Sequence, residues 1–258
     1  MKALTIDNTL EFRNTVVLLF SIIAVFLLSL FPPDIIVAED FALMENKQII
    51  HEAIVHHDLR VVIYPQEHRF TAEDTVTIPD HILSEFRFLL HKGLDPVSRS
   101  KGVRITKEKG KLPHETLESY KVSLARGMKT LVISFSGIID HPLEQVGKEQ
   151  ARGYSQTMGK IADEGIYLSG HSHWYPVFDT TFVTFSLQVE LPRDWEAASQ
   201  GERTLHKKDH AKTYVRWTSP EPQEEIYLVA GKFHEYVKSA GNVHAMVFLR
   251  SPDQVLAE

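Results

Sequence analysis

The chain has 258 residues, 43% hydrophobic and 24% charged, the composition of a globular protein with a core large enough to fold without covalent staples. A net charge of −6 offers no basic surface for nucleic acid. The absence of cysteine excludes disulfides, thiolate metal sites, cysteine nucleophiles and a lipid-modified N-terminal cysteine, and is compatible with a bacterial periplasm.

Residues 16–31 read VVLLFSIIAVFLLSLF, with only Ser21 and Ser29 polar, and Pro32-Pro33 stops the run. A helix apolar on every side belongs in lipid or in a very large core. Sixteen residues of helix span about 24 Å, slightly less than the roughly 30 Å hydrocarbon layer. Two readings follow: a signal peptide cleaved near Ile36-Val37-Ala38, or an uncleaved transmembrane anchor. Lys2 and Arg13 precede the run and Asp34, Glu39 and Asp40 follow it, so the positive-inside rule puts the bulk of the chain outside the cytoplasm, on the periplasmic side. Residues 1–33 are thus a cytoplasmic leader with this apolar segment, and residues 34–54 a linker.

From His57 the pattern turns to strands. Residues 58–64 (DLRVVIY) end at Pro65, and residues 69–78 (RFTAEDTVTI) alternate before Pro79, which reads as two adjacent antiparallel strands. Shorter runs follow at 86–90, 103–105 and 118–124, and a period-two run at 130–139. Residues 141–164 are polar and rich in Gly and Gln, and read as a long surface loop. Strands resume at 166–168 and at 182–191, where Val183, Phe185, Leu187, Val189 and Leu191 form the core face. Runs at 214–218, 226–230, 233–237 and 243–249 complete the set. The fold class is all-β: an antiparallel sandwich or saddle preceded by one N-terminal hydrophobic helix.

Candidate chemistry is sparse. His51-Glu52-Ala53-Ile54-Val55-His56 approaches the HExxH zinc motif, but its second histidine is at i+5. That lies about 500° around a helix instead of 400°, pointing away from the metal. His171-Ser172-His173 would present two imidazoles on one face if it were a strand, with His206 or His210 as a third ligand of a small metalloenzyme. The competing reading is a turn before Trp174-Tyr175-Pro176. Ser134 and Ser136 fall on strand positions with no local base. Glu73-Asp74 and Glu224-Glu225 read as solvated faces or turns. No P-loop and no Gly-x-Gly-x-x-Gly occurs. The residues therefore assign no catalytic, cofactor-binding or metal position.

Several strings together resemble the N-terminal domain of the aminopeptidase N-type (gluzincin) zinc metallopeptidases. They are Gly165-Ile166-Tyr167-Leu168, Trp174-Tyr175-Pro176, Leu191-Pro192-Arg193-Asp194-Trp195 and Ser199-Gln200-Gly201. The entry from His57-Asp58-Leu59-Arg60-Val61 through Thr77-Ile78-Pro79 is similar too, and Ser136-Gly137-Ile138-Ile139 resembles the family's Tyr-x-Gly-x-Ile strand. The likeness implies a β-saddle domain over residues 55–250, with residues 251–258 the boundary to a catalytic domain that this chain does not contain. That domain would carry HExxH and the catalytic tyrosine. The domain here would then position peptide substrate and pack on a separate zinc-peptidase catalytic chain or domain. In some members an acidic or amide side chain of this domain binds the substrate amine, but neither Glu164 nor a neighbour is assigned that role. The alternative is a stand-alone periplasmic β-sandwich that binds or scaffolds at the membrane, with the 141–164 loop as its contact surface.

Overall fold

The computed structural model describes residues 54–79, 85–146, 154–178, 182–241 and 243–257. The expected N-terminal helix and most of the linker lie outside these residues. Among the described residues, no helix is long and apolar enough to cross a membrane.

In chain order the first strands are β1 (Ile54–Tyr64), β2 (Arg69–Thr77), β3 (Glu85–His91), β4 (Val97–Ser98), β5 (Val103–Glu108), β6 (Leu117–Leu124) and β7 (Thr130–Ile138). The middle of the chain contributes β8 (Glu144–Val146), β9 (Tyr154–Gln156), β10 (Lys160–Ala162), β11 (Gly165–Leu168), β12 (Val177–Phe178) and β13 (Phe182–Pro192). Then follow β14 (Glu196–Ala198), β15 (Glu202–Lys208), β16 (Lys212–Gln223), β17 (Leu228–Gly231), β18 (His234–Ala240) and β19 (Val243–Leu249). A single helical turn, α1 (Gln254–Ala257), closes the described chain.

A seven-stranded sheet ordered β15-β16-β13-β1-β2-β7-β4 is the platform. Its central pair, β1 and β13, is parallel, whereas the other pairings of the sheet are antiparallel. The antiparallel fold expected from the sequence holds, with this one parallel pair at its centre. A parallel pair needs a long crossover, and here all of β2 to β12 intervenes. Every second residue of both strands points to the same side, and the register joins them in rows: Val55 with Val183, His57 with Phe185, Leu59 with Leu187, Val61 with Val189. The core face anticipated for β13 is fully buried as expected.

Two four-stranded sheets, β12-β3-β6-β5 and β10-β11-β17-β14, supply the rest of the core. Phe88, Leu90, Tyr120 and Val122 come from the first, Ile161, Ile166, Leu168, Ala197, Leu228 and Ala230 from the second. Trp174 and Tyr175 fasten the layers. The Trp174 indole donates to the carbonyl of Ile226 (3.1 Å), and the Tyr175 hydroxyl accepts the Ile226 N–H (3.2 Å). A buried tryptophan or tyrosine keeps its polar atom satisfied in this way. Burial raises the Tyr175 hydroxyl well above the ordinary phenol range, so it stays protonated.

Two glycines of the sequence strings have steric reasons. Gly137 stands opposite Phe70, and a Cβ there would collide with the backbone of Gly93 and the side chain of Leu94. Gly201 has φ +83°, and a Cβ would run into the backbone of Thr218.

Three expectations are corrected. The stretch 141–164 contains β8 paired with β9, and β10 paired with β11. Its strands β8, β9 and β10 are only three residues long, so no alternation rises above the loop-like composition. Asp74 is not solvated but wholly buried on the inner face of β2, where it accepts a hydrogen bond from His57 Nδ1 at 2.7 Å. His57 faces Val76 in the register, so Asp74 is its diagonal neighbour on the same face. Glu225 is likewise engaged instead of solvated, as described below. β1 begins at Ile54, so the described end of the near-HExxH string enters the first strand.

His57 Nε2 and Asp74 Oδ1 have no partner among the described residues. Tyr175 meets the imidazole edge-on at 5.3 Å and Phe178 lies at 5.9 Å. Removing one member strands the other in an apolar core. His57→Leu or Asp74→Leu alone is expected to cost about 3–5 kcal/mol in urea unfolding. The double variant should cost well under the sum of the two, and simple additivity would show that the pair is not coupled.

Candidate functional site

A cleft of about 1040 Å³ opens beside the β10-β11-β17-β14 sheet. One wall is the turn before β6 with His114, Glu115 and Thr116. A second is the segment from His141 to Glu144 that enters β8. The floor is Ile166 and Tyr167 of β11 with Val229 and Ala230 of β17, and Phe233 and Arg250 close the far end. Apolar floor, carboxylate and imidazole walls and a guanidinium at one end suit an extended ligand with both polar and apolar groups. Lys160 is held by Asp140 (2.8 Å), which keeps the Asp140 carboxyl below its ordinary range. Arg250 donates to the backbone carbonyl of Glu164 and lies 5.6 Å over the Phe233 ring. Glu115, Glu144 and Glu164 have no ion-pair partner among the described residues, unlike most other glutamates near structured elements.

The His171-Ser172-His173 string is a turn and not a strand. Residues Gly170–Ser172 form a 3-10 turn whose N-terminal end is closed by Ser172 Oγ, which accepts the Ser169 N–H (3.2 Å), and by the Ser172 N–H, which donates to the Ser169 carbonyl (3.0 Å). The Glu225 carboxylate accepts the Gly170 N–H and the Tyr227 hydroxyl. That second bond, with burial added, pushes the Tyr227 hydroxyl up to about 12. Gln200 completes the clasp: its amide donates to the Glu225 carbonyl (2.8 Å) and accepts from Tyr227 N–H (2.9 Å). A Cβ on Gly170 would overlap Glu225, so the turn admits only glycine there. His171 thus lines the cleft, whereas His173 turns its Nδ1 back to the His171 carbonyl at 3.1 Å. Burial lowers the His173 imidazole below its ordinary range.

The other suggested ligands are elsewhere. His206 on β15 donates to Glu196 of β14 at 2.9 Å, and His210 is in the turn after β15. His206, Glu196 and Glu235 place three ligand-type atoms within 4.8 Å of one another. A metal would find them taken. Lys208 holds the second oxygen of the buried Glu196, and Arg203 grips both oxygens of Glu235 at 2.8 and 2.5 Å. With each carboxylate matched by a cation, the cluster is a closed ion-pair network joining β14, β15 and β18. Ser134 accepts from Arg99 (2.9 Å) and has no base beside it. The His57–Asp74 pair is fully buried, which suits a core role.

His91 and His141 were not singled out by sequence, because they are 50 residues apart. Nothing in the local pattern links them. They meet Nε2 to Nε2 at 2.7 Å, His91 buried at the end of β3 and His141 half-exposed on the cleft wall. Burial, and then the proximity of His141, depresses His91 from 6.5 to about 4. The unfolded chain therefore takes up this proton first as pH falls. Stability contributed by neutral His91 is complete above about pH 6.5 and is lost progressively down to about pH 4, by roughly 3 kcal/mol. Urea midpoints measured across this window should fall with acid in the wild type. In His91→Phe the decline should be shallower by most of that amount.

Comparison with known proteins gives a fold. No family model matches the sequence, and no curated sequence is significantly similar to it. Solved structures are similar. The zinc metallopeptidase of the M1 family from Deinococcus radiodurans aligns at a TM-score of 0.51 with 16% identity, over 75% of this chain and 46% of that one. A point mutant of the same enzyme aligns at 0.50 with 17% identity and the same coverage. The chain thus spans about half the length of these structures and shares their β-rich fold over that part.

Proposed function

We propose that this chain is a non-catalytic, N-terminal-type domain of an aminopeptidase-like zinc metallopeptidase. It positions peptide substrate and packs on a catalytic domain that is not among these 258 residues. The observation that carries this reading is the fold likeness to about half of an M1 zinc metallopeptidase, in a sequence without HExxH. The strings that resemble the family fit it physically. Trp174, Tyr175 and Trp195 are buried anchors and Gly137 and Gly201 are sterically required, so these are the residues a shared fold would preserve. Delivery outside the cytoplasm, with the apolar segment 16–31 as a signal peptide cleaved near Ile36-Val37-Ala38 or as an uncleaved anchor, belongs to the same proposal.

The cleft is where a peptide would be held. Its unpaired glutamates suit a free amine, and the apolar floor of Ile166, Tyr167 and Val229 suits a side chain. The partner chain would supply zinc and the general base.

Expressed with an affinity tag in its native host, the chain should recover a second chain carrying HExxH, and alone it should show no zinc-dependent aminopeptidase activity. A clean monomer that recovers no such chain and binds no peptide would overturn the proposal. Within the cleft, replacing Glu115, Glu144 and Glu164 in turn with glutamine should weaken an unblocked peptide about tenfold in at least one case. An N-acetylated peptide should lose little in the same variants.

A further inference from the structure

We propose that His141 is an acid-released gate on the cleft: when neutral it is latched to His91, and when protonated it swings off the wall into the cleft. This does not depend on the peptidase reading, since it follows from the pair and its surroundings alone.

Two imidazole nitrogens 2.7 Å apart share one hydrogen. His91 Nδ1 is buried with no partner among the described residues. A bare lone pair there is tolerated better than an orphaned N–H, so His91 donates from Nε2 and His141 accepts. A proton arriving on His141 Nε2 reverses the bond. His91 must then accept and shift its own hydrogen to the buried Nδ1, where nothing receives it. With both Nε2 atoms protonated, two N–H groups would face each other.

His91 cannot yield. Its backbone N–H donates to the His173 carbonyl (2.8 Å), and it is paired to Leu117 in the β3–β6 ladder. His141 can yield, because only its backbone is tied, to Gly159 (2.9 Å) and Thr157 (3.3 Å). Its ring already borders open cleft.

The surrounding charges do not cushion the change. The charged and titratable groups near His91 are His173 and Glu118, with the backbone of Lys92 beside the ring, and Glu118 is engaged by Lys107 (2.6 Å) and the Tyr120 hydroxyl (2.7 Å). Near His141 are Asp140, held by Lys160 with His68 at 3.5 Å, Glu144 on the same wall, and across the cleft His114, Glu115 and His171. The unpaired Glu115 and Glu144 lie on the cleft side, so the pull on a charged His141 is toward the cleft. The depressed titration of His91 agrees with a pair that resists protons. Swinging adds one positive charge to the cleft, which would weaken cationic ligands and favour anionic ones in acid.

Histidine-selective NMR of the full chain tests the gate, with tryptophan signals reporting that the core remains folded. In the wild type, the cross-relaxation contact between the two rings should be present at pH 7.5 and lost once His141 is charged. In His141→Gln the His91 midpoint should rise by about one pH unit. In His91→Phe, which cannot latch, the His141 ring should show its acid-state environment already at pH 7.5. A ring contact that survives protonation, or a His141 environment unchanged in His91→Phe, would overturn the proposal.

Discussion

The parallel pairing of β1 with β13 is the constraint on which the rest of the structure depends. These strands lie far apart in the sequence, and their register brings alternate side chains into continuous rows across the platform sheet. Slipping either strand by one residue would turn its whole buried set to solvent. The outer strands then add in antiparallel fashion to a surface that is already built, and the two smaller sheets cover it. Because the crossover passes through β2 to β12, the walls of the cleft and the β11 part of its floor are hung between the two members of this one pair, and the segment from Val229 to Arg250 completes it.

That platform tolerates a polar pair at its centre only because the geometry provides for it. His57 and Asp74 sit on a diagonal of neighbouring strands, at a separation that a side-chain hydrogen bond spans. The aromatic rings of Tyr175 and Phe178 leave no room for water to approach the imidazole from their sides. A buried pair of this kind adds less stability than an apolar filling would, but it penalises any packing in which the two strands are out of step. This gives the pair a role in register, which fits its place beside the parallel seam.

What was legible in the sequence was packing. The alternation of residues 182–191 identified the core face of β13 correctly, and the turn reading of His171-Ser172-His173 holds because glycine, serine and proline around it suit a bend more than a strand. Trp174, Tyr175 and Trp195 entered the reading through strings that resemble a known family, and all three are buried. The charged interior was not legible. Asp74 alternates with Glu73 in a polar-looking run, and only the register of β2 shows which of them faces inward. Glu225 was taken for a solvated residue because one partner, Gly170, is 55 residues away in a turn that nothing in the local pattern links to it. The parallel seam could not be read either, since β1 and β13 look alike whichever way they run.

The distribution of paired charge bears on where function resides. Near the β14–β15 edge, two carboxylates are matched by Lys208 and Arg203. On β3 and β6, Glu85 and Glu118 are matched by Lys121 and Lys107. Each of these holds strands together and leaves no ligand atom vacant. The cleft is different: three glutamates, a histidine turned inward by a glycine-only turn, and a second histidine latched on its wall are gathered there. Among the described residues the glutamates have no ion pair to satisfy. Stability does not require such an arrangement, since Glu85, Glu118, Glu196 and Glu235 on the strands of the same fold are paired. A surface that keeps its charges uncompensated is one from which a cationic group on a ligand gains most, because no existing partner must be displaced.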